Sequence, residues 1–392
     1  NYDDSHTEAL RLSKDRELSF IHPFDDIDVI AGQGTIGIEI ISQLTDPPDS
    51  VYIAVGGGGL IAGVSTYIKN LWPNVKIIGV EPKDADAMTR SLKENKIVEL
   101  EKIGLFADGV AVKRVGDKTF EIAKKYVDKM ITVNTDEICA AIKDVFEDTR
   151  SILEPAGALS IAGMKKDIDS SNISNKDLVA IACGANMNFE RLRFVAERAE
   201  LGENKETMLA VEIPEKAGSL IDLCKLLKMR NLTEFSYRMS NSLSAQIFIG
   251  LEVCGKIDKN NLINDFKKSK YQFIDISDDE LSKNHLRHMV GGRLPSNIFK
   301  TKNKDLIELL YRFEFPERPG ALMDFLKNMQ PNWSISIFHY RNHGADVGRI
   351  VIGVLIDKKE IKNWYEFIDL LGYKYWDETN NQTYNLFLGA SD

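Results

Sequence analysis

Val51 to Leu60 read VYIAVGGGGL, an apolar run followed by Gly56, Gly57, Gly58 and Gly59 in succession. Glycine loses more conformational freedom on ordering than any other residue, so this run implies a task for the backbone itself. The N–H groups of consecutive glycines can face one anion, and a helix beginning at Leu60 adds the positive end of its dipole. A slack surface linker is the competing reading. A nucleotide P-loop would place Lys and Ser or Thr directly after the last glycine, where Leu60 and Ile61 stand. The G-x-G-x-x-G spacing of a dinucleotide loop is met only trivially by so many glycines. The run points to a phosphate without naming its owner.

The segments around the run are those that would position such a loop. VYIAV (51–55) precedes a helical stretch to Leu71, and VKIIGV (75–80) precedes ADAMTRSLKEN. KMITV (129–133) leads into TDEICAAIKDVFEDTR, whose Thr135 and Asp136 suit a helix start, and LVAIAC (178–183) leads into NMNFERLRFVAERAEL. These runs are continuously apolar, as in a parallel sheet covered by helices on both faces. The layout is α/β.

Beyond a polar junction at Gly202 to Thr207 the pattern repeats. VEIPEKAGSL (211–220) answers FEFPERPGAL (313–322), TEFSYRM answers SIFHYRN, IFIGLEV (247–253) answers IVIGVLI (350–356), and YQFID (271–275) answers YKYWD (373–377). Each copy reads strand, P-x-x-x-G turn, helix, two strands, helix, strand, the βαββαβ order of a ferredoxin-like unit. The expected domains are residues 1–203, 204–296 and 297–392. A pair of such units suggests ligand sensing, with a purely structural, oligomer-forming role as the alternative.

The chain has 392 residues, a formal net charge of −9, 43% hydrophobic and 28% charged residues. The negative balance disfavours nucleic acid and anionic membranes as partners, and no segment approaches the roughly 20 apolar residues of a membrane span. Cys139, Cys183, Cys224 and Cys254 show no C-x-x-C or metal-ligand spacing, which suits a reduced, cytoplasmic setting. Asn1 and the helical text after it suggest a sequence that begins part-way through a protein; any organelle-targeting segment of a eukaryotic form would lie upstream.

HPFDDIDVIAGQGTIGIEI (22–40), VGGGGLIAG, GVEP (79–82), ADGVAV (107–112), EPAGA (154–158) and CGANMNF (183–189) occur in that order. Together they resemble the second half of the catalytic domain of threonine ammonia-lyases (threonine deaminases), pyridoxal-phosphate (PLP) enzymes of the tryptophan-synthase-β fold type. ELGE at the junction, HMVGGR (288–293) and FHYR (338–341) are similar to the biosynthetic, regulated branch, whose C-terminal units are ACT-like. The resemblance implies dehydration and deamination of L-threonine to 2-oxobutanoate and ammonia, the first step of isoleucine biosynthesis. It implies isoleucine as inhibitor, valine as activator, and a homotetramer.

Residue by residue, the resemblance places the PLP phosphate on Gly56, Gly57, Gly58 and Gly59, with Leu60 closing the loop. It places Cys183 at the pyridine nitrogen, where serine is more usual, and Gly109 and Glu154 along the cofactor ring. Independent readings are a small buried hydrophobe for Cys183 and a helix-start acid for Glu154. Tyr237, Arg238, Arg293, Tyr340 and Arg341 are the candidates for gripping an amino-acid effector, with strand-end packing as the alternative. Glu81 and the Ala85 carbonyl match a cation site of some relatives, but Ala87 stands where its second acid belongs, so no metal is expected. The family's Schiff-base lysine lies in an S-F-K-x-R-G-A motif, and no such motif occurs here. No lysine is assigned that role, and the chain alone is expected to be inactive. A non-catalytic amino-acid sensor with a remnant PLP lobe is the second reading.

Overall fold

A computed structural model describes residues 2–392 except 204, 217, 229, 240–242, 285–293, 295–304, 317–319, 342–346, 383, 385–387 and 389–392. Its contacts divide the chain into two compact units, Asn1–Glu203 and Asn204–Asp392. Among the described residues no helix is long and apolar enough to cross a membrane.

The first unit opens with helices α1 (Tyr2–Asp15) and α2 (Ile27–Gln43). Its sheet holds β1 (Ser50–Ala54), β2 (Lys76–Pro82), β3 (Lys129–Val133) and β4 (Leu178–Ala180), all parallel, in the order β3-β2-β1-β4. The connections carry α3 (Gly59–Leu71), α4 (Ala87–Glu94), α5 (Asp117–Tyr126), α6 (Thr135–Thr149) and α7 (Leu159–Ser171), and α8 (Phe189–Gly202) ends the unit. Alternate residues of β1 serve opposite cores. Val51 and Ile53 pack with Ile61, Val64 and Ile68 of α3, whereas Tyr52 and Ala54 pack with Ile138 and Ile142 of α6 and Leu159 of α7. A strand buried on both faces must be apolar at every position, which explains the unbroken VYIAV. Strand order reverses beside β1, so the crevice beyond the C-terminal ends of β1 and β4 is where such sheets hold ligands.

Helix α6 starts at Thr135, as Thr135 and Asp136 suggest, with Asn134 as its N-cap in a reciprocal capping box with Glu137. One local expectation shifts. LVAIAC supplies only three residues of ladder, because the chain turns away after Ala180 to bring Cys183 to Gly157.

The second unit contains two βαββαβ copies. The first is β5 (Glu206–Pro214), α9 (Ser219–Leu227), β6 (Leu232–Arg238), β7 (Ser244–Glu252), α10 (Gly255–Lys268) and β8 (Gln272–Asp275), followed by the short α11 (Glu280–Asn284). The second is β9 (Leu306–Pro316), α12 (Ala321–Asn328), β10 (Ser334–Arg341), β11 (Val347–Asp357), α13 (Ile361–Leu371) and β12 (Lys374–Asp377). They share one eight-stranded sheet, β12-β9-β11-β10-β6-β7-β5-β8. The antiparallel β6–β10 seam pairs Tyr237 with Phe338, Ser236 with His339, and Phe235 with Tyr340. Ser236 and His339 are repeat-equivalent and face each other, so a local two-fold axis passes between them.

In the first copy, Arg230 binds Asp258 through both guanidinium nitrogens at 2.5 and 2.6 Å. This bond and the Cys254 N–H lower the Asp258 pKa from its ordinary 3.8 to about 2. A carboxylate whose folded pKa is depressed contributes stability above its unfolded pKa and loses it as pH falls through the folded one. The second unit is expected to lose stability between pH 3.8 and about 2. Asp258→Asn should flatten that part of a thermal-midpoint profile; an unchanged acid slope would refute the assignment.

Candidate functional site

The loop after β1 is polarised by its hydrogen bonds. The Gly57 carbonyl accepts from Gly116 N at 3.2 Å and from Thr119 Oγ1 at 2.7 Å, and the Gly58 carbonyl accepts from Ala62 N at 3.0 Å. With those carbonyls turned to α5 and α3, the N–H groups of Gly56 to Leu60 have no acceptor among the described residues. Gly58 reaches this geometry at φ +97°, as the N-cap of α3. Orphaned, largely buried donors at a helix start are suited to a dianionic phosphate.

The loop is held in place by the segment that precedes α2. His22 Nδ1 accepts from Asp25 N at 2.9 Å. The Asp25 carboxylate in turn accepts from Asp117, Lys118 and Thr119 N–H at the start of α5, at 3.1, 2.8 and 3.3 Å. The HPFDD motif thus fixes the helix that fixes the glycine loop. Phe24 packs so closely on the loop that a Cβ at Gly57 would fall within its ring.

A cavity of about 340 Å³ opens in front of the loop, within the range of small-molecule pockets. Gly56, Gly57, Gly58, Gly59, Leu60, Gly109, Glu154 and Cys183 all line it, joined by Phe24, Gln33, Asp108 and Gly157. The topology explains this convergence: the glycines follow β1 and Cys183 follows β4, the two strands flanking the reversal of order. Gly157 is required there because a Cβ would coincide with the Cys183 carbonyl oxygen. Glu154 accepts from Asn186 N at 3.1 Å. Burial, and then the Glu154 carboxylate, raise the pKa of the Cys183 thiol and keep it protonated. The cavity thus combines an anion cradle with a protonated thiol. Gln33 and Phe24 were not singled out from sequence, although both lie in the motif-bearing segment 22–40.

Glu81 lies elsewhere, 1% exposed, accepting from Met88 N and Thr89 N at 2.8 Å each, and from Thr89 Oγ1 at 2.6 Å. Its oxygens cap α4, and burial pushes its pKa up to about 7. Among the described residues no group of His, Cys, Asp and Glu side chains is arranged to hold a metal ion.

In the second unit the candidates separate. Tyr237 is buried, and its hydroxyl lies 2.8 and 2.9 Å from the two Glu215 oxygens and 3.0 Å from the Ile335 carbonyl. It lines a second cavity of about 320 Å³ between the β5–α9 turn and the α12–β10 turn, with Ser219, Ile221, Leu326 and Trp333. Arg238 is outside that lining: its guanidinium pairs with Glu308 at 2.7 Å and donates to the Leu388 carbonyl at 2.8 Å. Glu308 also accepts from Ser336 Oγ at 2.5 Å and Tyr384 Oη at 2.7 Å. Tyr340 packs in the sheet core, Arg341 is half-buried at the end of β10, and Arg293 lies outside the described residues. Sequence reading missed Glu215, Ser219, Glu308 and Trp333; Glu308 was legible as the repeat equivalent of Glu206.

Comparison with known proteins gives the same two parts. Residues 1–184 match the pyridoxal-phosphate-dependent enzyme family, and residues 197–286 and 301–388 match the C-terminal regulatory domain of threonine dehydratase. The chain is 49% identical to the biosynthetic L-threonine dehydratase of Burkholderia multivorans, covering 99% of this chain and 75% of that protein. It is 45% identical to the corresponding protein of Pasteurella multocida, covering 99% and 74%. The structure of processed threonine deaminase isoform 2 from Solanum lycopersicum aligns over 49% of this chain and 56% of that one, with 52% identity and a TM-score of 0.48. With nearly half of its residues identical to such relatives over 99% of its length, and both family models matched in order, the chain belongs to the threonine dehydratase family of pyridoxal-phosphate-dependent lyases.

Proposed function

We propose that this chain carries the cofactor cradle and the regulatory units of a threonine ammonia-lyase that converts L-threonine to 2-oxobutanoate and ammonia, the committing step toward isoleucine. The observation that carries this reading is the polarised glycine loop facing Cys183 and Glu154 across one cavity. The N–H groups of Gly56 to Leu60 would hold the phosphate of PLP, and the protonated Cys183 thiol would meet its ring nitrogen. Glu154 and Gly109 would line the ring. When bound, PLP supplies a sink for the electron pair of the substrate's Cα–H bond. A thiol at Cys183 would leave the ring nitrogen uncharged, which would favour loss of the β-hydroxyl as water over wider carbanion chemistry.

No lysine is among the described residues lining the cavity. Residues 1–392 are therefore expected to bind PLP reversibly but not to turn over threonine. Borohydride treatment followed by intact mass should find no cofactor attached to the chain. A covalent adduct, or 2-oxobutanoate formed by the purified chain, would overturn this. The same observation favours a second reading, an amino-acid sensor with a catalytic remnant, in which PLP fails to bind.

The second unit is read as the effector domain, with isoleucine as inhibitor and valine as activator and Tyr237 in contact with the ligand. The supporting observation is the cavity beside Tyr237, bounded by both ferredoxin-like copies. The proposal includes a homotetrameric assembly in the cytoplasm, or in an organelle of a eukaryote.

A further inference from the structure

The glycine cradle depends on one nitrogen that lies outside its cavity. His22 is half-buried, and its Nδ1 accepts the N–H of Asp25 at 2.9 Å and the N–H of Phe24 at 3.3 Å. A ring nitrogen that accepts carries no hydrogen, so the proton of the neutral imidazole sits on Nε2. These two bonds close the turn that carries both residues acting on the glycine loop. Phe24 packs over Gly57 and Gly59. The Asp25 carboxylate holds the N–H groups of Asp117, Lys118 and Thr119, and from the same helix start Gly116 N and Thr119 Oγ1 donate to the Gly57 carbonyl. Thr119 is fully buried, so a shift of α5 is passed to the loop.

An imidazolium would aim a donor at both of these N–H groups. Donor against donor at 2.9 Å is repulsive, so the turn would have to open. The surroundings favour the neutral ring: burial, His6 of α1 and Lys118 of α5 lower the His22 pKa, against the carboxylates of Asp25 and Asp26. Phe24 meets the ring edge-on with centroids 4.6 Å apart, and the His6 and Phe20 rings lie at 5.5 and 6.1 Å. We propose that His22 is a positioning residue for the cofactor: its unprotonated Nδ1 holds the Gly56–Gly59 loop in the anion-binding geometry, and protonation at Nδ1 releases it. This role rests on that loop being the PLP-phosphate cradle. Affinity for PLP should therefore fall on acidification, opposite in sense to the attraction that a nearby imidazolium would exert on a phosphate.

Two variants separate the acceptor from its titration. His22→Asn places an oxygen acceptor the same number of bonds from the backbone, and that oxygen does not titrate. His22→Leu removes the acceptor. Fluorescence titration of the full chain with PLP, from about pH 8 to about pH 5.5, should show affinity falling roughly three- to tenfold further in the parent than in His22→Asn. The comparison cancels the titration of the PLP phosphate itself, which both proteins share. At the alkaline end His22→Asn should bind like the parent, and His22→Leu roughly tenfold more weakly. Amide NMR of the cofactor-free chain gives a second readout. The Gly56 to Gly59 signals should move with the His22 ring titration and stay fixed over that range in His22→Asn. Parallel pH profiles in the parent and His22→Asn, tighter binding on acidification in the parent alone, or glycine signals indifferent to His22 would each overturn the role. No PLP binding by the parent at the alkaline end, with glycine signals that follow His22, would instead defeat the cofactor reading and leave the coupling of His22 to the loop standing.

Discussion

Gly58→Ala is expected to weaken PLP binding tenfold or more and to lower the stability of the first unit by about 2–4 kcal/mol. Two independent penalties act at this position. At φ +97° any residue with a Cβ is strained. The added Cβ would also lie 2.8 Å from Thr119 Cβ and Oγ1 and 2.8 Å from Met88 Cε. Met88 can move its flexible end, but Thr119 is fully buried and hydrogen-bonded to the Gly57 carbonyl, so it cannot give way without releasing the loop. Rotating the backbone to relieve the strain would turn the free N–H groups from the cavity. Gly32→Ala is the control, since a Cβ there meets nothing within 4 Å and the site is an exposed helix interior. It should be neutral or stabilise by up to about 1 kcal/mol. PLP titration by fluorescence and thermal unfolding without cofactor read the two effects separately. Equal affinity and stability in Gly58→Ala and the parent chain would show that the loop is not the cradle described.

Arg238→Met should destabilise the second unit by about 3–5 kcal/mol, the usual consequence of leaving a buried charge without its partner. The side chains of Arg238 and Glu308 are only 2% and 9% exposed, and they join β6 of one copy to β9 of the other. With Arg238 gone, Ser336 and Tyr384 still donate to Glu308 but supply no compensating charge. Glu308→Gln in the same chain should therefore restore much of the loss, because a neutral amide tolerates burial that an orphaned carboxylate does not. Denaturant titrations of the two single variants and the double variant give the coupling directly. Additive losses would mean that the pair is not formed in solution. If Arg238→Met/Glu308→Gln also binds isoleucine normally, Arg238 serves the seam between the copies rather than the effector.

The secondary-structure elements and the repeat are legible in the order of residues alone. Apolar runs without alternation suit strands buried on both faces, so VYIAV and KMITV announced a covered parallel sheet. The P-x-x-x-G turns at matched spacing announced the doubled βαββαβ units. The glycines, Cys183 and Tyr237 were marked as well, because residues with special backbone or chemical properties stand out locally. Which of these residues meet is a matter of the fold. Cys183 faces Gly56 because strand order reverses beside β1, a fact of pairing that no local pattern encodes. Arg238 and Tyr237 are neighbours in sequence and point to opposite faces of one strand, so one enters an ion pair with Glu308 while the other borders a cavity. Ser219 and Trp333 are ordinary residues in their own segments. They come together only where the two copies join, since the seam between β6 and β10 sets the α12–β10 turn against the start of α9.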